Sequence, residues 1–208
     1  MNNYEAILFD FDGVLADSEP VHFECWREVL MPYGIDLRWE VYADKCIGVS
    51  DRDMIQGFCL GQPKPIDFSV VWREYPRKQA LFTERMKTAD VFVQETLDFV
   101  QTLTRYRLAV VSSSRRSEIE PPLIRAGIRE RFEILVCGTE EVQRLKPAPD
   151  PYLQAARNLG VERALVVEDS DAGEQSGRAA GFDVVRVRNA QEVAEKVRAA
   201  LTGATVAL

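Results

Sequence analysis

The chain has 208 residues, 46% of them hydrophobic and 28% charged, enough for one or two globular domains with a proper core. Its formal charge is −7 with both signs spread along the chain, which argues against nucleic acid or an anionic membrane as the main partner. Four cysteines without a Cys-x-x-Cys pair, and a single histidine, make a zinc site or a disulfide framework an unsuitable reading.

The N-terminus, MNNYEAILFDFDG, has neither a basic start nor a long apolar stretch, so no signal peptide or transmembrane segment is predicted and cytoplasmic residence is expected. Ala6 to Phe9 is a wholly apolar run of strand length, and it leads straight into Asp10 and Asp12. A helical stretch follows. Pro20 opens one helix, with Ser18 or Glu19 before it, and Gly34 closes it. Trp39 to Lys45, Asp51 to Leu60 and Asp67 to Met86 come next, the last expected to break at Pro76. Glu95 to Thr104 reads as a further helix. Leu108 to Val111 is the second apolar run, ending in Ser112-Ser113-Ser114, and Ile134 to Cys137 is the third. Lys146 precedes Pro147-Ala148-Pro149 on a stiff local backbone. Asp150 to Asn158 is helical, ended by Gly160. The fourth run, Ala164 to Val167, ends in Glu168-Asp169-Ser170. Ala172 to Ala180 is helical, with Gly181 as its stop. Val184 to Val187 and the helix Gln191 to Leu201 complete the chain.

Strands that are apolar throughout are buried on both faces, and strand alternating with helix predicts an α/β fold with a mainly parallel sheet. About a hundred residues between the first two strands exceed an ordinary crossover. Residues 18–86 are therefore read as an inserted helical cap domain, and residues 1–17 and 87–208 as the core. Ligands of such sheets bind beyond the carboxyl ends of the strands. Acids stand at two of those ends, and they repel each other unless a cation sits among them. Mg2+ suits a few carboxylates and retained waters. If Asp10, Asp12, Glu168 and Asp169 share one ion, the first and fourth strands are neighbours, and the order 5-4-1-2-3 satisfies that with right-handed crossovers. Ser112, Ser113 and Ser114 offer hydroxyl and N–H donors to a phosphate, and Lys146 can pin its charge.

Four stretches in this order, DFDGVLADSE (Asp10 to Glu19), VVSSS (Val110 to Ser114), KPAPDPY (Lys146 to Tyr152) and VVEDSDAGEQSGRAAG (Val166 to Gly181), resemble the haloacid dehalogenase superfamily. The resemblance spans nearly the whole chain. It implies a Rossmann-like core with a helical cap inserted after the first motif. DGVLADSEPVH looks most like the branch of β-phosphoglucomutases and sugar-phosphate phosphatases, with His22 where that branch often carries a histidine; a cap residue without chemistry is the other reading of it. IGVSDRDMI (Ile47 to Ile55) resembles a substrate-specificity stretch. The mutase pattern has arginine directly after GVS. Here Asp51 stands there, a charge that would repel a second phosphate, and Arg52 follows, either facing substrate or solvated.

By this resemblance Asp10 is the nucleophile and Asp12 the general acid and base. Ser112, Ser113 and Lys146 hold the phosphoryl oxygens, His22 and Arg52 stand by the substrate, and Asp10, Asp12 (through its backbone carbonyl), Asp169 and Glu168, the last directly or through water, hold Mg2+. The expected activity is Mg2+-dependent hydrolysis of a small phosphomonoester, a sugar phosphate, through an aspartyl-phosphate. The partner is that small phosphorylated metabolite, with no nucleic acid, membrane or obligate protein partner. A β-phosphoglucomutase-type isomerase is the alternative. A dehalogenase has no need of Asp12, and a non-catalytic binding protein has no need of the whole set.

Overall fold

A computed structural model describes residues 3–47 and 49–203. The chain divides into two compact units, Met1–Ser18 with Asp90–Leu208, and Glu19–Ala89.

The first unit holds a five-stranded sheet: β1 (Ala6–Phe9), β2 (Arg107–Ser112), β3 (Ile134–Cys137), β4 (Ala164–Glu168) and β5 (Asp183–Arg186). Every pairing is parallel and the order is β3-β2-β1-β4-β5, so β1 lies between β2 and β4. The central strands are buried on both faces, which explains their unbroken apolar sequence. One face packs Leu8, Ala109, Val111, Val136 and Val166 against Tyr152, Ala155 and Leu159 of the helix Asp150–Leu159. Alternation then sends Phe9 to the opposite face, where it meets Phe132 edge to face. The edge strand β5 is only partly buried. Ser170 caps the helix Asp171–Ala179 by accepting from the Gly173 N–H at 3.0 Å.

Between β2 and β3 the chain forms a helix, Arg116–Arg125, where periodicity predicts none. Pro121 and Pro122 lie inside it and read as breakers in sequence. The helix stands on Ile119 and Leu123, both fully buried, and its start is fixed by the Arg115 N–H donating to Glu118 at 3.0 Å.

The second unit is helical: Glu19–Leu30, Trp39–Lys45, Asp51–Leu60, Phe68–Trp72 and Tyr75–Met86. The interruption before the last helix lies at Arg73–Glu74, and Pro76 sits in the first turn of the helix that follows. The proline starts that helix instead of breaking one, because the first turn has no use for its missing N–H. Trp26, Leu30, Leu37, Met54, Ile55 and Val71 give the unit its own apolar core.

Candidate active site

Sheet register places the central acids. Phe9 pairs with Val110 on one side and Val167 on the other. The residues one step further on therefore converge: Asp10 after β1, Val111 and Ser112 at the end of β2, Glu168 and Asp169 at the end of β4. The Asp10 N–H donates to the Val167 carbonyl at 2.9 Å, carrying the ladder one residue past β1.

Lys146 enters this group of acids nearly buried. Its Nζ donates to Asp10 Oδ1 at 2.5 Å, to Glu168 Oε1 at 2.5 Å and to the Val111 carbonyl at 2.8 Å. Three protons thus meet three acceptors. Glu168 is fully buried. Its Oε1 also accepts from the Tyr152 hydroxyl at 2.7 Å, and Oε2 accepts from the N–H groups of Asp169 and Ser170 and from the Ser170 hydroxyl, at 3.1, 3.2 and 3.1 Å. Close approach fixes two glycines. A Cβ on Gly173 would lie 1.8 Å from the Glu168 carboxylate, and one on Gly13, at φ +73°, would lie 2.0 Å from Asp169 Oδ2.

Asp12 has a different environment. Oδ1 accepts from the buried Ser18 hydroxyl at 2.5 Å. Oδ2 accepts from Ser114 Oγ at 2.8 Å and from Ser112 Oγ at 3.4 Å, and Ser112 Oγ itself accepts from the Ser114 N–H. Ser113 is exposed, and the hydroxyl that reaches the acid is that of Ser114.

The electrostatics follow from crowding. Burial pushes the Asp10 carboxyl well above the usual range; Lys146 opposes this, while Glu168, Asp169 and Asp12 add to it. Burial, then Glu168 and Asp12, push Asp169 up to about 7. Burial also acts upward on Glu168, but Lys146 and the hydrogen bonds from Lys146, Tyr152 and Ser170 outweigh it, and Glu168 titrates below its ordinary value. Lys146 is disfavoured as a cation by burial, yet Asp10 and Glu168 hold it above its ordinary value. One oxygen from each of Asp10, Glu168 and Asp169 lies within 4.8 Å of the others. Hard oxygen donors whose charges repel each other fit a divalent cation, which would favour the ionised form of each. The Asp12 carboxylate is turned to the serines; among the described residues this group of three is the one candidate metal cluster.

His22 and Arg52 belong to the helical unit. The His22 ring stacks on Phe82 at 3.8 Å, and its Nδ1 lies 2.8 Å from Lys78 Nζ. Because an ammonium can only donate, Nδ1 is the unprotonated nitrogen. Lys78, almost fully buried, also donates to Asp51 Oδ2 at 3.2 Å, while Trp26 Nε1 donates to Asp51 Oδ1 at 2.7 Å. The Asp51 charge is thus compensated within its own unit, which removes the bare repulsion expected from sequence. The Arg52 guanidinium lies 4.8 Å from the Phe68 ring centre and 5.7 Å from that of Trp72.

Sequence reasoning did not single out Tyr152 or Lys78, and it read Ser18 only as a helix start and Ser114 only as a donor to phosphate, not as partners of Asp12. Ser18, Ser114 and Tyr152 lie within the motif stretches themselves, at places where only three-dimensional proximity distinguishes a ligand from a spacer. Lys78 sits in a charged helix among other cations and has no local signal.

A family model described as haloacid dehalogenase-like hydrolase matches residues 7–187. The phosphorylated carbohydrates phosphatase of Thermotoga maritima is 32% identical over 184 residues, covering 86% of this chain and 82% of that protein. The fructose-1-phosphate phosphatase YqaB of Escherichia coli is 32% identical over 192 residues, covering 89% of this chain and 97% of its own length. The crystal structure of CbbY from Rhodobacter sphaeroides in complex with phosphate superposes with a TM-score of 0.63 at 29% identity, over 88% of this chain and 87% of that one.

Proposed function

Since the chain belongs to the haloacid dehalogenase-like hydrolase family, we propose that it hydrolyses a small phosphomonoester, a sugar phosphate, with Asp10 as nucleophile and Mg2+ as the ion. That it is a phosphatase follows from the family and its relatives. The substrate, the ion and the residue roles are the proposal. One observation carries it: two carboxylates two residues apart have opposite surroundings. Asp10 lies among Lys146, Glu168 and Asp169, and Asp12 is held apart by serine hydroxyls.

Phosphoryl transfer needs positioning and charge neutralisation more than elaborate chemistry. An Asp10 oxygen attacks phosphorus and the ester P–O bond breaks. Asp12, protonated, gives its proton to the departing oxygen. Asp12, now ionised, takes a proton from water, whose oxygen attacks the phosphoryl group, frees Asp10 and releases inorganic phosphate. Lys146 turns a proton to a phosphoryl oxygen, and Ser112 offers a further donor. The carboxylates of Asp10 and Asp169, with the backbone carbonyl of Asp12, would hold Mg2+. The ion supplies charge neutralisation, easing the approach of one anion to another. The relatives named for carbohydrate phosphates support the sugar.

The test is a panel of sugar monophosphates assayed for inorganic phosphate with Mg2+ and with excess chelator. At least one is expected to turn over with Mg2+, to stop on chelation and to resume when Mg2+ is restored. Unchanged turnover in thoroughly chelated protein contradicts the metal role, and no turnover of any phosphomonoester contradicts the function.

A further inference from the structure

We propose, resting on Lys146 as the holder of a phosphoryl oxygen, that Ser176 is the positioning residue for the loop that carries it. The Ser176 hydroxyl ties that loop to the helix Asp171–Ala179 and so sets where the Lys146 ammonium stands against the sheet.

Lys146 reaches three acceptors at once, on or just past three different strands: Asp10 after β1, the Val111 carbonyl on β2 and Glu168 on β4. A lysine stem is flexible, so the precision has to come from the backbone that carries it. That backbone has few restraints of its own. Pro147 and Pro149 have no N–H, so Ala148 has the one N–H between Lys146 and the helix Asp150–Leu159, and it donates to the Leu145 carbonyl at 3.0 Å. The prolines stiffen the loop locally without placing it on the rest of the unit. The Ala148 carbonyl supplies a tie across: it accepts from Ser176 Oγ at 2.6 Å.

Ser176 is a firm anchor because its helix lies unusually close to the sheet. Gly173 and Gly177 are one turn apart and so share a face of the helix. A Cβ on Gly177 would meet Val184 Cγ2 on β5 at 2.9 Å and Val166 Cγ1 on β4 at 3.1 Å, and Gly173 is closed off by Glu168. The helix thus follows the position of β4, and Ser176, fully buried, passes that position to the loop. A serine inside a helix often gives its proton to a carbonyl one turn back. Here the proton goes to a carbonyl 28 residues away in sequence. Thr96 offers a matched comparison: its hydroxyl is also buried and donates to a carbonyl, that of Ala190, at 2.6 Å, between two elements that hold no site residue.

The test uses the full-length protein with Mg2+ and reads the Kd of inorganic phosphate by calorimetry and kcat/KM by phosphate release, with urea unfolding to check that each variant is folded. The proteins are wild type, Ser176→Ala, Thr96→Val, Lys146→Ala and Ser176→Ala combined with Lys146→Ala. Ser176→Ala is expected to weaken phosphate about fivefold and to lower kcat/KM about tenfold, less than the roughly hundredfold that a 1 Å misplacement can cost. Thr96→Val is expected to keep both values within about twofold, because a distant hydroxyl does not couple to the site. With Lys146 already replaced, adding Ser176→Ala is expected to change phosphate affinity by less than about twofold, since the two residues act as one. Wild-type phosphate affinity in Ser176→Ala overturns the proposal. So does a Ser176→Ala loss of the same size with and without Lys146, or an equal functional loss in Thr96→Val. If Ser176→Ala does not fold, Ser176→Cys, of similar shape but a weak donor, is judged by the same results. The phosphate arm needs no turnover: a wild type that binds phosphate and hydrolyses nothing sinks the functional reading and leaves this test in force, whereas a wild type that binds no phosphate removes the role of Lys146 and overturns the proposal with it.

Discussion

Asp12 is held by short contacts from Ser18 and Ser114 on its two oxygens, with Ser112 Oγ at the longer distance of 3.4 Å. A group with the proton-transfer role proposed for Asp12 gains from such restraint. Asp12→Asn keeps the shape but cannot transfer the proton, and kcat is expected to fall by about two to four decades. Ser114→Ala removes one charge-assisted hydrogen bond worth about 1.5 kcal/mol, so kcat is expected to fall about tenfold, with KM little changed. Steady-state kinetics on one substrate read both; a Ser114→Ala enzyme as slow as Asp12→Asn, or as fast as wild type, contradicts the positioning account. At this scale the sequence makes position legible, since Asp10, Asp12, Glu168 and Asp169 stand at or just past strand ends; the roles given to them are the proposal. The sequence is silent on Ser114 against Ser113, because neighbouring loop residues of the same type differ only in which one folds back toward Asp12.

Elements were legible when periodicity and punctuation agreed. The five apolar runs became the five strands, shifted by a residue at β5, extended at both ends of β2 and by Glu168 at the end of β4. Arg116–Arg125 was not legible, since two prolines outweigh local propensity until buried Ile119 and Leu123 are counted. In the helical unit, Glu19–Leu30 and Tyr75–Met86 are joined by the His22–Lys78 contact. Burial, and then the Lys78 ammonium, hold His22 well below its ordinary value. In the unfolded chain it titrates near about 6.5. Above that pH neither state carries the proton. Below it the unfolded chain binds a proton that the folded chain refuses, so stability falls with pH, by at most about 1.4 kcal/mol per unit, down to the folded value. Going from pH 7.5 to 5.5 should therefore cost wild type about 1 kcal/mol more than it costs His22→Gln, measured by urea unfolding. Equal losses in the two proteins contradict a neutral, lysine-bound His22.

The architecture of the whole molecule places β1 between β2 and β4, and so turns scattered acids into one site. That order was readable because two acidic strand ends that share one cation must belong to neighbouring strands. The compact unit Glu19–Ala89 lies in the overlong gap between β1 and β2, and its internal pairing has no sequence signal: the contact between Asp51 and Lys78 joins residues in different helices. This pairing bears on the choice between hydrolase and mutase. A mutase must hold a doubly phosphorylated sugar against water, best with a forked arginine. At the expected place stands Asp51, already satisfied by Lys78 and Trp26, and Arg52 lies against Phe68 and Trp72. With β-glucose 1-phosphate and a trace of the bisphosphate, free phosphate is expected to form faster than glucose 6-phosphate, and the reverse order promotes the mutase. The most direct measurement is acid-quench trapping with a substrate carrying labelled phosphorus. The account predicts a hydroxylamine-sensitive label on the peptide containing Asp10 in the wild type, and neither label nor turnover in Asp10→Asn. A label on another residue, or turnover by Asp10→Asn at the wild-type rate, would contradict it.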